Sequence, residues 1–270
     1  DSVADAEVAD DAGCARPVEP ETTSDDDVEI PMIVIHTTHG ARVTRERGRA
    51  LSKFPVPTVY GSAMDLDTTP ALLVDRDILD RNIARMAQSA ASRGLSLRPH
   101  AKTHKCSEIG RRQLGAGARG LTVATVSEAE VFADEGFDDL FVAYPLWVDA
   151  ARGAPLRALA DRVRLTVGID SATGARQLVE HAGTAIGVLV EIDSGHHRTG
   201  VLPEQAGTVA STAREAGLDV RGVFTFPGHS YAPDAPDSAA REEADALAAA
   251  GASLRAAGIE PTVVRGGSSL

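Results

Sequence analysis

Short apolar strand patterns alternate with alanine-rich amphipathic stretches from Thr69 onward, and this alternation constrains the fold more than any other feature. Strands that alternate with helices at this spacing predict βαβ units and a parallel sheet. No G-x-G-x-x-G motif follows the first strand, so the pattern favours an α/β fold of the (β/α)8 TIM-type barrel class over a dinucleotide-binding fold. Strands are predicted at 69–75, 95–102, 120–125, 139–144, 163–169, 186–192, 220–226 and 261–266.

Helices are predicted between these strands. The first covers residues 77–93, where apolar side chains recur on one helical face. That face consists of Leu79, Ile83, Met86 and Ala90. A later helix is predicted to begin at Ser127, because Ser127 and Glu130 have the spacing of a capping box, and to end at Gly136.

Composition excludes several classes of protein. The chain carries 27 basic and 39 acidic side chains, a formal charge of −12, which argues against a nucleic-acid-binding protein. No apolar run approaches the roughly 20 residues that span a bilayer, so no membrane partner is expected. The sequence has no basic segment followed by an apolar one, so no signal peptide is predicted. With only Cys14 and Cys106, a disulfide scaffold is excluded and a reducing, cytoplasmic location is expected.

The charge is distributed unevenly along the chain. The first thirty residues contain eleven acids and one base, whereas residues 31–60 carry a net charge of +4. The acidic segment has too little apolar content to offset its chain entropy, so disorder is predicted. We therefore expect an acidic and then basic tail or linker over residues 1–60, and an α/β barrel over residues 61–270.

In a barrel of this class the chemistry lies at the carboxyl ends of the strands, so polar residues there are candidates. Lys102 closes the strand pattern of 95–102. A partly desolvated lysine amine can attack a carbonyl and form a Schiff base, although a surface lysine is the simpler alternative. His100 and His104 lie four residues apart, but in a strand-to-loop segment without an accompanying Glu, which disfavours zinc.

Three further strand ends carry candidate binding residues. Arg198 lies in a loop bracketed by two glycines, and a solvated loop with an Arg–Asp pair is an equal alternative to a binding loop. His229 and Tyr231 follow the strand at 220–226, where an ordinary turn is the alternative. The last strand ends in a glycine-rich turn that contains Gly266, Gly267 and Ser268. The backbone N–H groups of such a turn could bind phosphate. An amine, a ring-facing side chain and a phosphate site are together what pyridoxal 5'-phosphate requires.

Six segments, in this order, resemble the D-threonine aldolase and D-serine dehydratase family of alanine-racemase-like, fold-type III pyridoxal-phosphate enzymes: TPALLVD, RPHAKTHK, GLTVATVSEAE, EIDSGHHRTGV, GVFTFPGHSY and VVRGGSS. The resemblance runs from about Thr69 to Ser269. It implies that Lys102 forms the Schiff base and that Arg198 lies near the cofactor's ring and phenolic oxygen. It also implies roles at the ring or substrate side for His229 and Tyr231, and at the phosphate for Gly266, Gly267 and Ser268.

The sequence also differs from the family pattern. Members continue into a last barrel strand and a C-terminal β domain, whose His with Cys or Asp binds a divalent metal; no ligands for that metal are expected in this chain. The resemblance places the strand at 69–75 with the β domain, so the barrel is expected to have seven strands and to lack its eighth. Counting strands without the resemblance gives eight and a closed barrel.

The resemblance implies a pyridoxal-phosphate-dependent lyase acting on a small D-β-hydroxy amino acid, as a D-threonine aldolase or a D-serine dehydratase. The enzyme alternative is an amino-acid racemase. A non-catalytic pyridoxal-phosphate-binding protein or an inactive fragment would also account for the motifs. Because an open barrel has unpaired strand edges, we expect aggregation or completion by a partner chain, which leaves a homodimer open.

Overall fold

The computed structural model describes the backbone of residues 32–35, 42–43, 64–65, 71–231 and 236–267. The chain divides between Arg85 and Met86 into two compact units. Within the described ranges, no helix has both the length and the hydropathy that crossing a bilayer requires. The disorder predicted for residues 1–60 falls mostly outside these ranges, so it stays a prediction.

The unit before Met86 contains two antiparallel strand pairs. Strand β1 (Met32–Ile35) pairs with β4 (Ala71–Val74), and β2 (Arg42–Val43) pairs with β3 (Met64–Asp65). The strand predicted at 69–75 therefore forms, but it is not part of the parallel sheet. Counting it as a barrel strand was wrong, and its assignment outside the barrel is confirmed.

Asp75 directly precedes helix α1 (Arg76–Ser92), and its carboxylate accepts hydrogen bonds of 3.0 Å from the N–H groups of Asp77 and Ile78. A carboxylate at this position satisfies N–H groups that have no partner inside the helix. On the predicted apolar face, Leu79 and Ile83 are buried. The helix predicted at 77–93 is thus confirmed to within one residue at each end.

The unit from Met86 onward contains a six-stranded parallel sheet. Its strands are β5 (Leu121–Val123), β6 (Asp139–Pro145), β7 (Arg164–Ile169), β8 (Gly187–Ile192), β9 (Asp219–Thr225) and β10 (Val263–Arg265). Their spatial order is their order in sequence. Consecutive parallel neighbours are what the winding of a (β/α)8 barrel produces, so the sheet is a partial barrel of the predicted class.

The predicted first barrel strand, 95–102, is reduced to a single bridge between His100 and Thr122 beside β5. Around this bridge Ala101 N–H donates to the Thr122 carbonyl, and Thr122 N–H donates to the Pro99 carbonyl, both at 2.8 Å. Pro99 has no N–H of its own and cannot donate the bond that would extend the ladder toward Leu97. The expected seven barrel strands are therefore six strands and one bridged segment.

The helices that connect the strands are α2 (Ser107–Gly115), α3 (Val126–Asp134), α4 (Ala150–Ala160), α5 (Ala172–Ala182), α6 (Ala206–Glu215) and α7 (Pro236–Ala256). The capping box predicted at Ser127 lies two residues earlier. Thr125 accepts the Glu128 N–H at 3.1 Å, and the Glu128 carboxylate accepts the Ala124 N–H at 2.7 Å. Thr125 takes the position because its own backbone is extended, at a φ of −137° and a ψ of 160°, directly before the first helical residue.

Two apolar layers cover the two faces of the sheet. Alternate side chains of a strand point to opposite faces, so Leu140 and Val142 of β6 join the large core shared with the helices. Between them, Phe141 belongs to a separate inner cluster with Leu189 and Phe224. The rings of Phe141 and Phe224 meet edge to face, with centroids 5.0 Å apart. This inner cluster forms the floor beneath the carboxyl ends of the strands.

Candidate active site

A cavity opens at the carboxyl end of the sheet. Its empty volume is about 610 Å³, part of which is open to solvent. The lining residues are His100, Lys102, Thr122, Ala124, Ala143, Tyr144, Arg198, Phe224, Thr225, Phe226 and Gly267. Aromatic walls with a few converging polar and cationic groups are typical of a small-molecule site.

Lys102 enters this cavity from a turn that directly follows the bridge at His100. The Nδ1 atom of His100 accepts the Lys102 N–H at 3.2 Å, and the Lys105 N–H closes the turn on the Ala101 carbonyl at 2.8 Å. The Lys102 Nζ atom lies 4.8 Å from the centroid of the Phe226 ring. Lys102 is thus a half-buried lysine that lines the cavity, and its role as the nucleophile stays a prediction.

Arg198 is carried by a loop whose two ends are bonded to each other. Asp193 N–H donates to the Val201 carbonyl, and Val201 N–H donates to the Glu191 carbonyl, both at 2.9 Å. Gly200, at a φ of +96°, packs so closely on this closure that a Cβ atom would lie 2.8 Å from the Asp193 nitrogen. The loop after β8 is therefore closed at its base by backbone contacts that require glycine.

The Asp193 side chain holds the same loop from inside. Its carboxylate accepts the N–H groups of Gly195 at 3.0 Å and His197 at 2.9 Å, and lies 2.8 Å from His197 Nδ1. Burial acts to raise the pKa of Asp193, but the hydrogen bonds from His197 and Gly195 outweigh it and leave the pKa below its ordinary value. The predicted alternative, an Arg–Asp pair in this loop, is replaced by a His–Asp contact.

The guanidinium carbon of Arg198 lies 5.1 Å from the Phe226 ring centroid and 6.0 Å from that of Tyr144. Lys102 and Arg198 therefore place two cations over one aromatic ring. Such an arrangement is electrostatically suited to a planar ligand that carries negative charge.

Glu191 lies next to Arg198 and was not predicted as a site residue. It is only 2% exposed, and its Oε1 atom accepts the Thr199 hydroxyl at 2.9 Å. The same atom is 4.0 Å from Arg198 Nη2, whereas Oε2 has no hydrogen-bond partner in the structure. Burial raises the pKa of Glu191 to about 7, against the opposing effects of Thr199 and Arg198.

His229 and Tyr231, predicted at the ring or substrate side, lie in the short 3-10 helix Gly228–Tyr231. The Nε2 atom of His229 is 2.9 Å from Glu242 Oε2 on α7. Tyr231 is 48% exposed, and its ring centroid is 6.1 Å from that of Phe226. Neither side chain is among those that line the cavity. Their roles toward a ligand stay predictions.

The described part of the glycine-rich turn contacts an acid. Gly267 N–H donates to Glu243 Oε1 at 2.6 Å, and a Cβ atom on Gly266 would lie 2.3 Å from the same oxygen. Glu243, on α7, is 1% exposed. Gly267 lines the cavity, whereas Ser268 lies outside the described residues. The predicted phosphate-binding role of this turn is untested, and any phosphate would share it with a carboxylate.

Sequence reasoning missed Thr122, Tyr144, Thr225 and Phe226 as cavity residues. Each lies on a parallel strand or directly at its carboxyl end, so the rule that found Lys102 could have found them if applied to hydroxyl and aromatic side chains. His104, which was considered as a zinc ligand with His100, instead accepts the Cys106 N–H at 3.1 Å. Within the part of the chain that the structure describes, no cluster of three His, Cys, Asp or Glu side chains could hold a metal ion.

Comparison with known proteins shows where this architecture belongs. The alanine racemase N-terminal domain matches residues 74–270. An uncharacterized protein of Mycobacterium tuberculosis is 50% identical over 54% of this chain and 88% of its own length. The D-threo-3-hydroxyaspartate dehydratase of Delftia sp. is 38% identical over 74% of this chain, but the match covers only 55% of that enzyme.

Among solved structures, the D-threonine aldolase from Filomicrobium marinum superposes with a TM-score of 0.69 and 37% identity. The match covers 74% of this chain and 56% of that one, so the chain spans about half the length of the enzymes it resembles. The chain therefore belongs to the alanine racemase N-terminal domain family, in the group of fold-type III enzymes that includes D-threonine aldolase and D-serine dehydratase.

Proposed function

We propose that the protein is a pyridoxal-phosphate-dependent lyase that acts on D-β-hydroxy amino acids. The observation that carries this proposal is the convergence of Lys102 Nζ and the Arg198 guanidinium on the Phe226 ring, at 4.8 and 5.1 Å from its centroid. A family relationship alone does not show that a site is intact. Here the amine and the cation that the chemistry requires come from separate strand ends and meet in one cavity.

The described residues fit the proposed cofactor. When bound, pyridoxal phosphate supplies an aldehyde for an amine and a ring that accepts electrons from the substrate's Cα. Lys102 would bind the aldehyde carbon, and Arg198 would attract the negatively charged ring oxygen. Phe226 would flank the ring plane. Gly267 would approach the phosphate only where Glu243 leaves room, which makes this turn the weakest part of the fit.

The residues of this chain have separate tasks in the proposed reaction. The Lys102 amine would hold the aldehyde carbon of the cofactor, and it would hold the proton that Cα gains or loses. Arg198 would orient the ring, and Tyr144 and Phe226 line the cavity on that side. No metal-assisted step is assigned to the described residues.

The substrate class is inferred from the names of the relatives. D-threonine, D-serine and D-threo-3-hydroxyaspartate all carry a hydroxyl group on Cβ. Cleavage of Cα–Cβ in D-threonine yields glycine and acetaldehyde. Loss of water from D-serine gives an enamine, and hydrolysis of that enamine then yields pyruvate and ammonia. The products therefore distinguish an aldolase from a dehydratase. A cytoplasmic location stays an expectation, and a homodimer stays open.

Titration of the protein with pyridoxal phosphate, followed by visible absorbance, tests the proposal. We expect a protein-dependent band that Lys102→Ala abolishes. Lys105→Ala is the matched control, because Lys105 lies in the same segment but is 65% exposed and paired with Glu128. A band that survives in Lys102→Ala would overturn the assignment. Interconversion of D- and L-alanine would identify a racemase, and a band without turnover of any substrate would identify a non-catalytic binding protein.

A further inference from the structure

A buried acid beneath the arginine loop has no role in the function proposed so far. Glu191 lies two residues after Leu189 on β8, so the two side chains point to the same face of the sheet. Leu189 belongs to the inner cluster, and that face is therefore the one on the cavity side. At 2% exposure it is among the few buried acidic side chains of the described residues. Burying an acid is costly unless it is hydrogen-bonded, paired with a cation or protonated.

The contacts of Glu191 all lead to the loop that carries Arg198. Its Oε1 atom accepts the Thr199 hydroxyl at 2.9 Å and lies 4.0 Å from Arg198 Nη2. Its backbone carbonyl accepts the Val201 N–H, which closes the loop. One residue therefore holds the chain on the carboxyl side of Arg198 and also attracts its charged end.

The remaining charges around Glu191 make Arg198 its natural partner. Asp170 follows β7 and Asp193 follows β8, and both acids act on this carboxyl. Arg198 is the cation that opposes them, because its charge stabilises the ionised carboxyl. Thr199 satisfies Oε1, whereas Oε2 has no hydrogen bond. The local balance of charge thus favours a guanidinium that stays close.

We propose that Glu191 is a positioning residue that keeps the Arg198 guanidinium over the Phe226 ring, anchoring its loop through Thr199 and attracting its charge. What Arg198 then binds rests on the proposed function. The link between Glu191 and Arg198 does not, because it is a property of the protein without any ligand. The two claims can therefore fail separately.

The first experiment uses the protein without cofactor. The pKa of the Glu191 carboxyl is measured by NMR of carboxyl-labelled glutamate in wild type, Arg198→Ala and Arg198→Lys. We expect Arg198→Ala to raise this pKa by about one unit, because an opposite charge within 4–6 Å stabilises a carboxylate, and Arg198→Lys to restore most of the difference. Arg152→Ala, at an exposed arginine near another strand end, should leave it unchanged.

A pKa of Glu191 that does not respond to Arg198→Ala overturns the proposal, whatever the cofactor does. Arg198 is 43% exposed, so the variant is expected to fold. This arm gives an answer even if the wild type shows no absorbance band with pyridoxal phosphate, a result that would defeat the proposed function alone.

The second experiment is a double-mutant cycle on the affinity for pyridoxal phosphate. Glu191→Gln keeps an acceptor for Thr199 but removes the charge, and we expect it to weaken binding about tenfold. In the Arg198→Ala background the same change should weaken binding less than about twofold, because a residue that acts through another has no effect once that residue is gone. Equal losses in both backgrounds would show that Glu191 acts independently of Arg198.

Discussion

The two cations of the cavity are held by structures of different strength. Arg198 lies on a loop closed by backbone hydrogen bonds, by the Asp193 carboxylate and by the Thr199–Glu191 contact. Lys102 lies beyond a segment that has one β-bridge to β5, where Pro99 interrupts the ladder. The segment is also held by hydrogen bonds from Arg119 N–H to the Leu97 carbonyl and from the Thr122 hydroxyl to the Arg98 carbonyl. The difference indicates that the arginine side of the site is preformed, whereas the lysine side has fewer restraints on its backbone.

The strongest test of this difference is removal of the Asp193 carboxylate. Asp193→Ala leaves the N–H groups of Gly195 and His197 without their acceptor. We expect a loss of about 3 kcal/mol in the free energy of unfolding, because hydrogen bonds to a charged group contribute about 1.5–3 kcal/mol each and water replaces part of that. Urea unfolding measures it. Asp134→Ala, which removes an exposed ion pair with Arg162, is the control and should cost less than about 1 kcal/mol. Similar losses in the two variants would contradict a preformed arginine loop.

The pH dependence of stability should differ in sign between the two regions. On the arginine side, the pKa of Glu191 is raised by burial to about 7 from its ordinary 4.5. The folded protein then binds more protons than the unfolded chain between these values, so Glu191 costs stability as pH rises from 4.5 to 7. We expect the free energy of unfolding of Glu191→Gln to rise relative to that of wild type as pH increases over this window, by at most about 1.4 kcal/mol per pH unit.

On the lysine side, burial lowers the pKa of His104 to about 4 from 6.5. The unfolded chain then binds more protons, so the contribution of His104 is lost as pH falls from 6.5 toward 4. The free energy of unfolding of His104→Gln should therefore fall less steeply than that of wild type as pH falls from 6.5 toward 4. Urea unfolding of both variants from about pH 4.5 to 7.5 measures the two slopes. Slopes of the same sign in the two difference curves would contradict the assignments.

The smallest expected effect is at Pro99. Pro99→Ala restores an N–H that can extend the ladder beside β5, but it also gives the unfolded chain more freedom. These effects oppose each other, so we expect the free energy of unfolding to change by less than about 1 kcal/mol. Hydrogen exchange should then show protection of the amide that the substitution introduces. If that amide exchanges freely, the missing N–H at Pro99 is not what stops the hydrogen-bond ladder beside β5.

The elements of the barrel could be predicted from the sequence because period and spacing are local properties. Strands β5 to β10 follow the apolar patterns, and the glycine after α3 ends that helix as expected. The segment 95–102 was overpredicted, since a pattern of side chains does not register a missing backbone donor at Pro99. The capping box was displaced to Thr125 because its place depends on where β5 ends.

The candidate site was predictable where a strand end carries one distinctive residue. Lys102, Arg198 and Gly267 line the cavity as proposed from the motifs. Contacts between distant segments were not predictable, since nothing near Gly267 in sequence indicates the Glu243 carboxylate from α7, and nothing near His229 indicates Glu242. Glu191 was passed over because its burial is a property of the folded barrel.

The central claim is that Lys102 is the residue that binds pyridoxal phosphate, in a cavity it shares with Arg198. The most direct measurement is reduction of the protein with borohydride in the presence of the cofactor, followed by peptide mass analysis. The account predicts one stable pyridoxyl adduct, on Lys102, with Lys105 unmodified. An adduct on Lys105, or adducts spread over the surface lysines without enrichment at Lys102, would contradict it.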